Sequence, residues 1–460
     1  MSNSPVYFSS LGSVGEVGAS AHLLHIDGLD LLLDCGLHPK KEGKDSLPEF
    51  EHLRKAPDAV IISHGHHDHC AALPYLLKMY PSTVPYATVP SVRIIDRMLH
   101  NSVSVMEKMK LERGIEDYPL YDHRDVEFAV RRTYGIPMGQ EFAVLPNSPV
   151  RVTFFPAGHV LGAACTLIEG TTHTVLYTSD VSTVDQELLP GMNLSPEATD
   201  VDTLIIESTY GANGEADEIE FEAEVGRFAE GIKRVIERGG IALVPTFALG
   251  RTQEVLNTLN RLQEAGTIPD VPIYASGLGR AIYEIYNRFE DELRDDIEMT
   301  PLSQFGEVGD VWDPAHRAGL LREPCIIVAT AGMLIENTPS SLIAEALVRD
   351  PRHGIFFVGY CDPDTLGYKL RSASPGDELI FTTGGKPTKI ALDDIQWYHF
   401  SAHANRRDLL SIIDRVHSKN LIFVHGDPPA SQWMHDNTGN GRAKYLPHIG
   451  ESIRLDAPVS

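Results

Sequence analysis

Four histidines and an aspartate fall within six residues, His64-Gly65-His66-His67-Asp68-His69, directly after the apolar run Ala59-Val60-Ile61-Ile62. No other stretch constrains the chain as much. The apolar run reads as a buried strand, and Cys70 to Met79 reads as a helix ended by Tyr80-Pro81. The cluster is therefore expected on the turn between them. There His64 and His66 can project toward one point, while Asp68 and His69 open the helix and face a second. Neutral imidazole nitrogen and carboxylate oxygen suit zinc, manganese or iron. A solvated histidine run would not normally follow a buried strand, so metal ligation is the reading carried forward.

A metal site needs more ligands than this segment holds, and three isolated candidates stand at expected strand ends. His159 follows the strand 152–155 in Ala157-Gly158-His159-Val160-Leu161-Gly162. Asp180 ends Val175-Leu176-Tyr177-Thr178-Ser179-Asp180, and His425 ends Leu421-Ile422-Phe423-Val424-His425. Taken singly, such a residue is more often a cap or a turn residue. Together with the cluster, the three complete the count.

The rest of the chain divides in texture near residue 211. Before it, short strands are expected at 6–9, 21–26, 31–33, 152–155, 174–178 and 203–206, with mostly helix over 91–135. After it, Phe221, Val225, Phe228, Ile232 and Val235 follow the helical period, and strands at 241–244, 273–275, 325–329 and 355–358 alternate with helices. That alternation is the α/β pattern of a parallel sheet. A strand near 390, a helix over 407–416 and a strand over 421–424 follow.

Bulk properties exclude little. Hydrophobic residues make up 42%, no apolar run approaches the roughly 20 residues that span a bilayer, and no signal peptide is expected. The five cysteines (Cys35, Cys70, Cys165, Cys325, Cys361) form no CxxC pair, which favours a reducing cytoplasm over a disulfide framework. The net charge of −25 runs against nucleic-acid binding, but it is uneven. Residues 211–230 carry seven carboxylates against Arg227, expected as a solvated helix face, whereas 366–419 carry eight bases against six acids.

In this order, Asp34 after an early strand, the HxHxDH cluster, His159 and Asp180 resemble the metallo-β-lactamase superfamily. Glu207-Ser208-Thr209-Tyr210-Gly211, Ser401-Ala402-His403 and Val424-His425-Gly426 resemble motifs A, B and C of its β-CASP group, the nucleic-acid-processing branch. Ala248-Leu249-Gly250-Arg251-Thr252-Gln253-Glu254, Ala331-Gly332-Met333 and Gly359-Tyr360…Thr365-Leu366-Gly367 support the match. The resemblance implies an αββα sandwich from residues 1–209 and 390–460. An α/β β-CASP domain, a parallel sheet flanked by helices, would be inserted at 210–389. It also implies two zinc ions, with manganese or iron as alternatives. One would sit on His64, His66 and His159 and the other on Asp68, His69 and His425, with Asp180 bridging and Asp34 orienting a ligand. Catalytic roles fall to Asp68, to His403 as proton donor to the leaving oxygen, and to Glu207 as its partner.

Histidine at motif C is similar to the members that act on RNA, whereas the DNA-repair members typically have valine. The overall pattern, including residues 67–74, is similar to the cleavage-and-polyadenylation endonuclease branch and its compact prokaryotic relatives. The expectation is a cytoplasmic ribonuclease that hydrolyses single-stranded RNA with a hydroxide activated by two zinc ions. Endonuclease action is favoured over 5′-to-3′ exonuclease action, and a homodimer is implied by the resemblance alone. Alternatives are a hydrolase of DNA or small phosphodiesters, and a catalytically silent RNA-binding subunit, which would predict lost ligands. With the first strand expected at residue 6, neither an added N-terminal RNA-binding module nor a further C-terminal domain is expected. Three departures stand out: Asn405 where motif B usually has aspartate, Asp427 where glutamate is common, and the extra His67. Arg251, Gly332, Lys369, Arg371 and Arg406 are the candidate RNA phosphate contacts.

Overall fold

Two seven-stranded sheets dominate the first part of the computed structural model, which describes residues 5–457. The first runs Ser452–Arg454, Tyr7–Gly12, Ala21–Ile26, Leu29–Leu33, Ala59–Ile61, Val84–Thr88, Tyr134–Ile136. The second runs Ala443–Tyr445, His417–Val424, Asp200–Glu207, Thr174–Tyr177, Ala164–Glu169, Arg151–Pro156, Phe142–Ala143. Both inner faces feed one buried cluster in which Phe8, Leu24 and Leu31 of one sheet meet Phe154, Ile205 and Ile422 of the other. The outer face of the first sheet packs Leu32 and Val60 against helical Leu76, Ile95, Leu99 and Val126. The result is the αββα sandwich.

The helices have local causes. Val89–Arg113 starts at Thr88, whose side chain caps Ser91 N–H, has Pro90 in its first turn, and stops at Gly114 with φ +69°. His123–Arg132 opens on a reciprocal Asp122–Asp125 capping box. The expected helix over 70–79 is split: a single turn, His67–Cys70, precedes Leu73–Met79.

Chain contacts separate two units, residues 1–185, 190–217 and 403–460 in one, and 186–189 with 218–402 in the other. The second unit holds a six-stranded parallel sheet in the order Gly306–Glu307, Ile273–Ala275, Ile326–Ala329, Ala242–Pro245, Gly354–Phe357, Asp394–Trp397. The last strand, which the sequence reading placed beyond the 389/390 boundary, pairs with Gly354–Phe357 in this sheet. Phe221–Glu237 buries Val225, Phe228, Ile232 and Val235. Of the seven acids of 211–230, five are solvent-exposed. The other two are held by cations, Glu224 by Arg227 and Asp217 by Arg406.

Glu254, on the helix Arg251–Glu264, is 2% exposed; its Oε2 accepts the Leu188 N–H at 2.8 Å and its Oε1 has no hydrogen-bond partner. Burial outweighs the pull of Arg251 and pushes this carboxyl up to about 7. A carboxyl whose folded value is raised stabilises the fold below its unfolded value near 4.3, and that contribution is lost as pH rises through 7. Glu254→Gln should therefore raise the melting temperature at pH 8 and leave it nearly unchanged at pH 4. It should remove a pH-dependent loss of up to about 3 kcal/mol. Equal shifts at both pH values would refute this.

Candidate metal centre

Six strands of the sandwich deliver the site from their carboxyl ends. Leu29–Leu33 leads to Asp34, Ala59–Ile61 to the histidine cluster, Arg151–Pro156 to His159, and Thr174–Tyr177 to Asp180; Asp200–Glu207 ends on Glu207, and His417–Val424 leads to His425. The first two run parallel, as do Thr174–Tyr177, Asp200–Glu207 and His417–Val424. Arg151–Pro156 is antiparallel to Ala164–Glu169, which is antiparallel to Thr174–Tyr177, so it points the same way. Asp34, Ser179 and His425 adopt positive φ (62°, 52° and 51°), a costly conformation for residues with a Cβ that turns the chain sharply at each strand end.

Two donor groups converge, His64, His66, His159 and Asp180 in one, Asp68, His69 and His425 in the other. In the first, His66 Nδ1 lies 3.0 Å from both His64 Nε2 and His159 Nε2. In the second, His425 Nε2 lies 3.2 Å from His69 Nε2 and 3.3 Å from Asp68 Oδ2. Asp180 serves both. Its Oδ2 is 3.7 Å from His64 Nε2, 3.6 Å from His159 Nε2 and 3.3 Å from His69 Nε2. Its buried Oδ1 receives no hydrogen bond, although His425 Nδ1 is 3.2 Å away.

These spacings fit divalent metal. Ligand nitrogens at about 2.0–2.1 Å from a tetrahedral ion stand about 3.3 Å apart, close to the imidazole separations found. Burial, reinforced by neighbouring imidazoles, holds His64 well below its ordinary value and also lowers His66, so both present lone pairs. Burial works against Asp68 ionising, but His69 and His425 outweigh it and keep the carboxyl low. His64, His66 and Asp68 are thus deprotonated where a cation needs them. At His69 burial opposes protonation, but Asp180, Asp68 and Asp34 outweigh it and raise the imidazole, whose Nε2 proton a bound cation would displace.

Asp34 fixes the second group from behind. Its Oδ2 lies 2.8 Å from His69 Nδ1 and accepts from Ser63 Oγ at 2.9 Å and Tyr177 Oη at 2.7 Å, while Oδ1 accepts from Ser63 N–H at 2.7 Å. That turns His69 Nε2 into the site. Thr209 Oγ1 stands 3.2 Å from His425 Nδ1. Ser63, Tyr177 and Thr209 were not singled out from sequence. Ser63 adjoins the histidine cluster and Thr209 lies within the motif A segment, which is a usable signal, whereas Tyr177 is an ordinary strand residue and carries none.

His403 stands beside the first group, its ring 4.6 Å from that of His159, with Nδ1 3.1 Å from Glu207 Oε2. Glu207, fully buried, also accepts Val181 N–H at 2.8 Å. Burial opposes protonation of His403, but Glu207, Asp180 and Asp68 outweigh it and raise the imidazole to about 9. Asn405 caps the helix Arg406–Arg415, its side chain accepting Asp408 N–H at 2.9 Å. Asparagine caps as well as aspartate, so this departure from motif B retains a local job. His67 turns away, its Nε2 2.9 Å from Ser102 Oγ.

The candidate RNA contacts are not gathered here. Arg251 is 6% exposed and donates to Gln186, so its guanidinium does not reach the surface. Arg406 pairs with Asp217 at 2.7 Å and lies over Trp433. Gly332 packs close to Phe247, Lys369 is exposed, and Arg371 lies over Trp397.

Comparison with known proteins agrees with this architecture. Residues 23–209 match the metallo-beta-lactamase superfamily domain, 252–370 the Beta-Casp domain, and 388–438 a Zn-dependent metallo-hydrolase RNA specificity domain. The chain is 30% identical to "Probable RNase MJ4" of Methanocaldococcus jannaschii, with 96% of this chain and 99% of that protein covered. It is 31% identical to cleavage and polyadenylation specificity factor 73 of Drosophila melanogaster over 91% of this chain, and likewise to subunit 3 of that factor in Dictyostelium discoideum. This chain spans only 59% and 53% of those two longer relatives. A solved structure of a protein of unknown function from Enterococcus faecalis shares the fold at 15% identity, with a TM-score of 0.57 over 98% of this chain and 100% of that one. The chain belongs to the β-CASP group of the metallo-β-lactamase superfamily.

Proposed function

We propose that this chain is a ribonuclease that hydrolyses phosphodiester bonds of single-stranded RNA with two zinc ions, cutting endonucleolytically. The observation that carries the reading is Asp180, whose one carboxylate reaches both donor groups within ion-pair distance of His64, His159, His69 and His425. His64, His66 and His159 would hold one ion and Asp68, His69 and His425 the other, shared through Asp180. Bound there, divalent ions supply Lewis acidity and bring the pKa of water toward neutrality.

The chain's own groups do the rest. Asp34 holds His69 in one orientation. Glu207 engages His403 Nδ1, which leaves Nε2 to carry a proton to the leaving oxygen. The RNA names among the relatives and the matched RNA specificity domain support RNA as substrate. The five unpaired cysteines fit a reducing cytoplasm, and no described helix is long and apolar enough to cross a membrane. For the domain division at 1–209, 210–389 and 390–460, the pairing of Asp394–Trp397 favours moving the second join toward 402.

The test is metal analysis with a gel assay on 5′-labelled RNA, comparing wild type with Asp68→Ala/His69→Ala. Two zinc ions per chain, and mid-length fragments absent from the mutant, are expected. Release of mononucleotides would make the enzyme an exonuclease. Full metal loading with no cleavage of any RNA would end the ribonuclease reading.

A further inference from the structure

Arg371 and the exposed Lys369 have no ion pair among the described residues. Arg371 lies instead between aromatic rings, its Cζ 4.4 Å from the Trp397 centroid and 5.6 Å from that of Tyr368. Trp397 is pinned in place, its Nε1 donating to Gly359 O at 3.0 Å, and the next residue, Tyr360, is 54% exposed. Tyr368 is 36% exposed. The nearby carboxylate of Asp362 is turned to local use, accepting from Tyr360 Oη and from Asp364 N–H.

We propose that Tyr368, Arg371 and Trp397, with Tyr360 at the margin, form a stacking platform for the unpaired bases of an RNA strand. The inference rests on the ribonuclease reading and adds to it a place where bases, not only phosphates, are held. A guanidinium layered on tryptophan presents a flat cationic face, and every base has a π-face to lay on it. Lys369 adds charge for the backbone beside it. A strand bound this way must be single, since a duplex hides its base faces.

The test is fluorescence anisotropy of the full chain with a labelled unstructured RNA and with an abasic strand of equal length, a chelator suppressing cleavage. Wild type should prefer the RNA. Tyr368→Ala/Arg371→Ala should weaken RNA binding about tenfold and change abasic-strand binding much less. Tyr368→Phe should retain wild-type affinity. Equal weakening for both strands would make Arg371 a phosphate contact only and overturn the platform, as would unchanged RNA affinity. Far-UV circular dichroism of the double variant should match wild type, which separates loss of the platform from loss of the fold. An enzyme that binds RNA through its bases but cleaves none would end the ribonuclease reading and leave the platform standing.

Discussion

Asp180→Asn should cost at least about a thousandfold in kcat/KM on RNA, roughly 4 kcal/mol of transition-state stabilisation. The substitution keeps shape and removes charge, so packing in the sandwich survives. What goes is a carboxylate within ion-pair distance of both donor groups, with Oδ2 facing His64, His159 and His69 and Oδ1 facing His425. An amide offers one weaker acceptor and turns an N–H toward the other group, so metal content should fall from two ions toward one. Circular dichroism should be unchanged, because the core around Phe154, Ile205 and Ile422 does not involve this side chain. Full loading with near-normal turnover would show that Asp180 does not bridge.

His403→Gln should lower kcat on RNA by about a hundredfold to a thousandfold, within the range for losing a positioned proton donor. Its KM and metal content should hardly move, since His403 lies outside both donor groups. Leaving-group chemistry supplies the discriminating control. The alkoxide leaving from RNA needs a proton, whereas p-nitrophenolate leaves readily without one. Hydrolysis of bis(p-nitrophenyl) phosphate should therefore fall much less than RNA cleavage. Glu207→Gln should show part of the same selective loss, because it weakens the hold on Nδ1 and the charge that keeps His403 protonated. Equal losses on both substrates would mean His403 shapes the metal site instead.

The fold was legible because its signals are local. The His64–His69 cluster follows an apolar strand, the period of Phe221 to Val235 is helical, and strands alternate with helices thereafter. His159, Asp180 and His425 stood out for the same reason that they now converge: each follows a strand pointing the same way. What stayed hidden depends on contacts between distant residues. Tyr177 reaches Asp34 across 143 positions, and nothing in its own neighbourhood marks it. Arg251 looks like a surface cation in sequence, but it is buried beside Gln186 and Glu254. Asn405 read as a weakened motif residue, and its use as a helix cap became visible only with the Asp408 N–H in place. Asp394–Trp397 is a short strand whose sheet cannot be chosen from its own residues.

The interruption of the sandwich by the second unit bears on how the protein is born. The donors His64 to Asp180 leave the ribosome early, while His403 and His425 follow only after more than two hundred further residues. At about 5–20 residues per second, that delay is on the order of ten to forty-five seconds. During it, the strand Asp200–Glu207 lacks its neighbour His417–Val424 and exposes an edge. The nascent chain thus carries all four donors of one group and two of the three of the other, with no motif B histidine. Under the proposed function, the message being translated would stay uncut until His403 and the strand His417–Val424 have emerged.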